Sequence, residues 1–353
     1  MKALITGIAG QDGTYLAEYL WEKDYEVHGI IRSYESQDFI RHEHLLKTAN
    51  LHNLDLTNAD AVKDLISKHR FDEIYNLASQ SSPSISFQQP LETFDVNTNS
   101  TLYLLEAIRH FSPETRFYQA SSSELFGGIP EYAPQDEHTG FHPRSPYGVS
   151  KLAAYWLVVN YREAYGLNCC SGILFNHESP RRRGDFVTKK ICEWIKQYAV
   201  GENDGPLVLG NINAKRDWGH SKDFVRAMWM MLNPDKLESP FCQDEPVFKE
   251  FVVGTGISYS IKNFIEIALK KYNKSITWKE AGSLSNKHGR KDTQIELEEG
   301  ISENGNVIVT VSKEFWRPAE VIEVRANPGK IKEELGWESQ VSLDQLIDEL
   351  LFH

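Results

Sequence analysis

Tyr147 and Lys151 stand four residues apart in Tyr147-Gly148-Val149-Ser150-Lys151, a spacing that puts a phenol and an ammonium on one face of a helix. Such a pair can move a proton, because a neighbouring cation favours the phenolate of a group whose ordinary pKa is about 10. Alone, the pattern arises by chance in many helices. Upstream, Ser121-Ser122-Ser123-Glu124 follows directly on an apolar run that reads as a strand, placing hydroxyls and a carboxylate at a sheet's carboxyl edge. Ser122 and Glu124 therefore join Tyr147 and Lys151 as candidate catalytic residues. A third cluster, Gly7-Ile8-Ala9-Gly10-Gln11-Asp12-Gly13, has glycines spaced by three between a strand and a helix. Missing side chains there let backbone N–H groups and a helix N-terminus meet a dinucleotide pyrophosphate. About twenty residues on, where a carboxylate would accept the ribose of NAD, stands Arg32, a cation suited to the 2′-phosphate of NADP. Glu35 is the nearby carboxylate that could still serve NAD. The expectation is NADP.

These groups need a scaffold that brings them to one edge. Ala3–Thr6, 26–31, a third run ending near 53–56, 73–78, 116–120 and 168–175 read as strands. Helical spacing of apolar residues marks the segments after Gly13, 61–69, 97–110 and 150–165. Regular alternation predicts an α/β, doubly wound parallel sheet of Rossmann type. Beyond His177 the pattern loosens, with helices at 186–198 and 221–232 and a polar stretch, 281–306, that reads as a surface excursion. The expected division is a cofactor domain of 1–176 rejoined by roughly 212–256, and a smaller mixed substrate domain of 177–211 and 257–353.

The chain has 353 residues, about two domains' worth, with 41% hydrophobic and 25% charged residues. That excludes disorder and simple coiled coil. A net charge of −12 argues against nucleic-acid binding, and any anionic ligand must be held by a local cluster of cations. Four cysteines, two adjacent at Cys169 and Cys170, form neither a disulfide framework nor a metal motif, which fits a reducing, cytoplasmic setting. No apolar run is long enough to span a membrane. His42, His44 and His52 lack metal-site spacing and read as a solvated loop, so no metal is expected.

The segments LITGIAGQDGTYLAEYL, QASSSELFG, RSPYGVSKLAAYW, GILFNHESPRR, AKRDWGHSKDFVRAMW and Trp316-Arg317-Pro318-Ala319-Glu320-Val321 resemble the extended short-chain dehydrogenase/reductase superfamily. Within it the chain is similar to the GDP-mannose 4,6-dehydratase family, from Leu4 to about Leu350. The resemblance implies a GDP-linked sugar substrate, NADP cycled within each turnover, and a homodimer or homotetramer pairing through the long Ser150 to Tyr165 helix. It implies cofactor contacts from Gly7, Gly10, Gln11, Asp12, Gly13, Arg32, Asp55, Leu56, Leu77, Ala78, Tyr147, Lys151, His177 and Arg182. Ser81, Ser82, Asn176, Lys190, Arg216, Arg317 and Glu320 are implied to hold the substrate. The chain departs from the family pattern at Ser122, usually Thr; at Ser82, usually His; in a shortened loop after Arg32; and at Arg183 and Asp185. Two other readings stand beside this one: a dehydratase for a GDP-manno-heptose, and a non-catalytic NADP-sensing protein on the same fold.

Overall fold

A seven-stranded sheet, parallel throughout, forms the centre of the molecule in the computed structural model, which describes residues 1–203, 205–237, 247–288, 291–316 and 320–353. Across the sheet the strands run Phe251–Val253, Cys169–Leu174, Arg116–Ser122, Glu73–Asn76, Lys2–Thr6, Glu26–Ile31 and Asn50–Asn53. Strands sealed on both faces must be apolar throughout, and Ala3, Leu4 and Ile5 are fully buried. Alternate residues then serve opposite layers. Ala3, Ile5 and Val27 pack with helices Gln11–Trp21 and Ser221–Leu232, while Leu4, Ile74 and Phe117 pack with Ala59–His69, Ser100–Phe111 and Pro146–Tyr165. Strand order reverses between Lys2–Thr6 and Glu73–Asn76, which opens a crevice at their carboxyl ends.

Two smaller sheets flank this body. Lys215–His220 pairs with Asn176–Glu178, Ser258–Ser260 and Glu323–Val324. The other joins Ile276–His288, Lys291–Ser302, Val307–Val311 and Leu207–Leu209 around a core that includes Ile191, Phe264, Val309 and Leu346. Ile331, Leu335 and Trp337, far along the chain, return to the core of the central sheet. Among the described residues, no helix is long and apolar enough to cross a membrane.

The polar 281–306 stretch, read as a surface excursion, contains the strand 291–302, which pairs antiparallel with 276–288, the register shifting between Glu280 and Gly282. Two sequence expectations are corrected. The long helix begins at Pro146 rather than Ser150, because Ser145 caps it, its Oγ accepting from Gly148 N at 3.0 Å, and proline suits the first turn. The histidines do not share a solvated loop. His42 is buried with Nδ1 2.8 Å from Ala9 O, and His52 lies on the Asn50–Asn53 strand stacked on His28.

Candidate active site

The glycine turn sits on the crevice. Gly7 has φ +67°, a left-handed conformation, and a Cβ there would come within 2.9 Å of Ala78 Cα on the facing strand end. At Gly13 a Cβ would stand 2.4 Å from Gly7 O and 2.6 Å from Ile8 Cα. Backbone thus folds tightly under the N-terminus of helix Gln11–Trp21. The resulting cleft, about 480 Å³, is lined by Gly7, Gly10, Gln11, Asp12, Gly13, Arg32, Asp55, Leu56, Leu77, Ala78 and Arg182. This cradle of bare backbone, helix N-terminus and cations fits a nicotinamide dinucleotide. Glu35 is not among its lining residues, whereas Arg32 is. Arg181, Arg182 and Arg183 also line it, engaged by Glu18 at 2.8 Å, Glu178 at 3.0 Å and Asp185 at 2.6 Å.

Asp12 turns from the glycine motif toward His177, whose Nε2 lies 2.8 Å from Asp12 Oδ2 and whose ring stacks on Phe224 with centroids 4.3 Å apart. Burial alone would raise the Asp12 carboxyl, but His177 and Arg182 hold it below its usual range. Burial alone would lower the imidazole, and Asp12 outweighs it, so His177 is raised. The two form an ion pair that ties the turn to strand Asn176–Glu178. Gln11 adds to this tie, its Nε2 donating to His177 O at 3.2 Å.

A second cavity of about 400 Å³ adjoins the first, the two sharing Asp12, Leu77, Ser81, Ser82 and Arg182 in their walls. Ser122, Glu124, Tyr147 and Lys151 all line it. The strand Arg116–Ser122 ends at Ser122, whose Oγ accepts from Glu124 N at 3.2 Å and so starts the short turn that presents Glu124. Tyr147 faces these groups from the first turn of its helix. Burial pushes its phenol up to about 12, a hydrogen bond with Ser122 works the other way, and the Glu124 carboxylate raises it further. Lys151 Nζ is 5.9 Å from the Tyr147 ring centroid and donates to Ala120 O at 3.0 Å. Burial drops the Lys151 ammonium to about 8. In the protein alone the largest influence on Tyr147 is loss of water.

Farther along the same cavity lie Asn176, Lys190, Arg216 and Glu320. Lys190 Nζ donates to Val208 O at 2.8 Å and rides 4.3 Å from the centroid of the Phe315 ring, and burial lowers its pKa. Ser82 caps the helix Pro83–Ser86 at the junction of the two cavities. The remaining expected substrate residue, Arg317, lies outside the described residues.

Two supporting residues escaped the sequence reading. Asn97 sits in a π-turn, Asp95–Asn99, where its Oδ1 accepts from Ser79 Oγ and Gln80 N at 2.9 Å and its Nδ2 donates to Ser150 Oγ at 3.0 Å. It locks the loop between the cavities to the helix bearing Tyr147 and Lys151, as π-turns near functional sites often do. His42 does the same for the glycine turn through Ala9.

A doubly wound sheet with a dinucleotide cradle at its switch point, and a Tyr/Lys helix facing a Ser/Glu strand end, defines a short-chain dehydrogenase/reductase. Comparison with known proteins narrows the class. The GDP-mannose 4,6 dehydratase family matches residues 4–350. The chain is 43% identical to GDP-mannose 4,6-dehydratase of Vibrio cholerae over 99% of its length and 92% of that protein's. With the Homo sapiens enzyme of the same description it is 44% identical, over 99% and 90%. In fold it is similar to RMD from Pseudomonas aeruginosa complexed with NADPH, with a TM-score of 0.72, 20% identity, and 99% and 97% of the two chains covered. The chain belongs to the GDP-mannose 4,6-dehydratase family.

Proposed function

We propose that the second cavity converts GDP-mannose to GDP-4-keto-6-deoxymannose, the activity of its family, through Tyr147, Glu124, Ser122 and Lys151, with NADP as the cofactor. The observation that carries this reading is one cavity lined at one end by Ser122, Glu124, Tyr147 and Lys151 and, farther along, by the cations Lys190 and Arg216. The cations suit a diphosphate in a chain whose net charge is negative.

A nicotinamide held in the first cavity would supply the acceptor for the hydride of sugar C4 and the hydride later needed at C6. Tyr147 takes the proton of the C4 hydroxyl as that carbon becomes a ketone, and Ser122 hydrogen-bonds the same oxygen. The ketone makes the C5 proton acidic, which fixes the order of steps. Glu124 takes that proton and delivers a proton to the C6 hydroxyl as it leaves as water. Lys151, a buried cation, holds the ribose and supports the phenolate while Tyr147 is deprotonated. The stacked His177, paired with Asp12, fixes the wall shared by the two cavities.

NADP rather than NAD is supported by Arg32 in the cleft lining, and by the NADPH complex of the structurally similar P. aeruginosa protein. We assign the cofactor to a unit of 1–176 with roughly 212–256 and the substrate to 177–211 with 257–353, from which Ile331, Leu335 and Trp337 return to pack on the cofactor unit's core. A homodimer or homotetramer is supported by the long helix, where Trp156 and Tyr165 remain 53% and 52% exposed without a partner chain. Light scattering at micromolar concentration tests it, with a monomeric mass counting against both. Buried free thiols at Cys169, Cys170 and Cys192 support a reducing, cytoplasmic setting. The test of the reaction is mass spectrometry of GDP-mannose incubated with the protein and NADP: loss of one water is expected, and an unchanged sugar nucleotide overturns it.

A further inference from the structure

The cofactor cleft holds an acidic residue opposite the cation that reads the 2′-phosphate. Arg32 follows strand Glu26–Ile31, and its Nη1 lies 3.8 Å from Glu92 Oε1, on the helix Pro90–Phe94 across the cleft. Both side chains line the cleft, and they are 74% and 51% exposed. The other carboxylates there are otherwise engaged. Asp55 accepts from Thr57 N at 2.9 Å and Thr57 Oγ1 at 2.8 Å, and Asp38 lies 3.7 Å from Arg41. Among the described residues, Glu92 is the carboxylate within salt-bridge reach of Arg32.

We propose that Glu92 is a specificity-determining residue that restrains the preference for NADP over NAD, by competing for Arg32 and by repelling a phosphate at the same spot. The inference rests on the NADP reading given above. Its physics is a balance of one cation between two anions. A ribose bearing a 2′-phosphate must draw Arg32 from Glu92 and sit near that carboxylate. A free 2′-hydroxyl carries no charge and does neither; it can instead donate to the carboxylate. Glu92 therefore penalises the phosphorylated cofactor selectively. An exposed pair at this separation is weak, so the penalty is modest: removing it should tighten NADPH binding about 2- to 5-fold, which is up to about 1 kcal/mol. Salt should shrink the gain, since the groups are solvated.

The experiment is titration of the full-length protein with NADPH and with NADH, followed by fluorescence, for wild type, Glu92→Gln, Arg32→Ala and the double variant at low and high salt. Glu92→Gln should tighten NADPH about 2- to 5-fold and leave NADH within a factor of about 2, and the gain should vanish in the Arg32→Ala background. An unchanged NADPH affinity, an equal gain for both cofactors, or a gain that persists without Arg32 overturns the role of Glu92. If Arg32→Ala weakens NADPH while Glu92→Gln changes nothing, this inference alone falls. If wild type favours NADH and Arg32→Ala leaves NADPH binding intact, the NADP reading falls and takes this inference with it. Glu92→Ala checks that the amide of Gln has not supplied a new contact to the phosphate.

Discussion

Lys151 is 3% exposed, and burial holds its ammonium at about 8, below the 10.5 usual for lysine. That depression sets a pH dependence of folding. Below pH 8 the group is charged in both folded and unfolded chains, and folding carries the full desolvation cost, about 3 kcal/mol for a shift of this size. Between about 8 and 10.5 the unfolded chain still binds the proton and the folded chain does not, so stability rises with pH. Above that window the cost is gone. Lys151→Met removes the charge while filling similar space, so in cofactor-free protein it should be more stable than wild type at pH 7, by up to about 3 kcal/mol less any lost packing. The advantage should close as pH approaches 10. Taking the difference between the two proteins cancels the tyrosines and cysteines that titrate in the same range. Urea unfolding at pH 7, 8, 9 and 10 measures it, and a difference that stays constant across that range would refute the buried-ammonium argument. The same variant should lose turnover, so the site sacrifices stability to keep a cation beside the phenol.

If Tyr147 is the proton acceptor, as proposed, Tyr147→Phe removes that group alone, so turnover of GDP-mannose should fall by at least about 10²-fold while GDP affinity, read by calorimetry, stays near wild type. Arg32→Glu should weaken NADPH far more than NADH, because a carboxylate repels the 2′-phosphate and accepts from a free hydroxyl; equal losses in a binding titration would remove Arg32 from that role. Gly13→Ala places a Cβ 2.4 Å from Gly7 O, contact with backbone that cannot rotate aside. Cofactor binding should collapse while circular dichroism still shows a folded chain, and unaltered cofactor affinity would mean that the turn does not cradle the pyrophosphate.

The parallel sheet was legible because its strands are buried on both faces, so Ala3–Thr6 and Glu26–Ile31 declare themselves as apolar runs between glycines and helical spacing. The Tyr147 to Lys151 spacing was legible for the same local reason. Asn97 was not: an asparagine at the start of the segment read as the helix 97–110 looks solvated, and its three partners, Ser79, Gln80 and Ser150, are distant or featureless in sequence. Phe251–Val253 is three residues long, and its pairing with Cys169–Leu174 is decided by tertiary closure. Asp217 shows the same limit. It sits in a run that reads as charged, yet it is fully buried and accepts from Thr255 N, Thr255 Oγ1, Gly256 N and Ala326 N, holding three segments beside Arg216. Long-range satisfaction of a buried carboxylate leaves no local trace.

The central claim is that Glu124 turns an oxidation at C4 into a dehydration, and Glu124→Gln tests it most directly. The amide keeps the shape and a hydrogen-bonding group but cannot take the C5 proton. Oxidation at C4 depends on Tyr147 and should survive; elimination should fall by at least about 10²-fold. On mixing the variant and its cofactor with GDP-mannose, reduced-nicotinamide absorbance should rise and persist, and mass spectrometry should find a 4-keto sugar that keeps its C6 oxygen. Formation of the 6-deoxy product at near wild-type rate would show that Glu124 is not the base and would contradict the account.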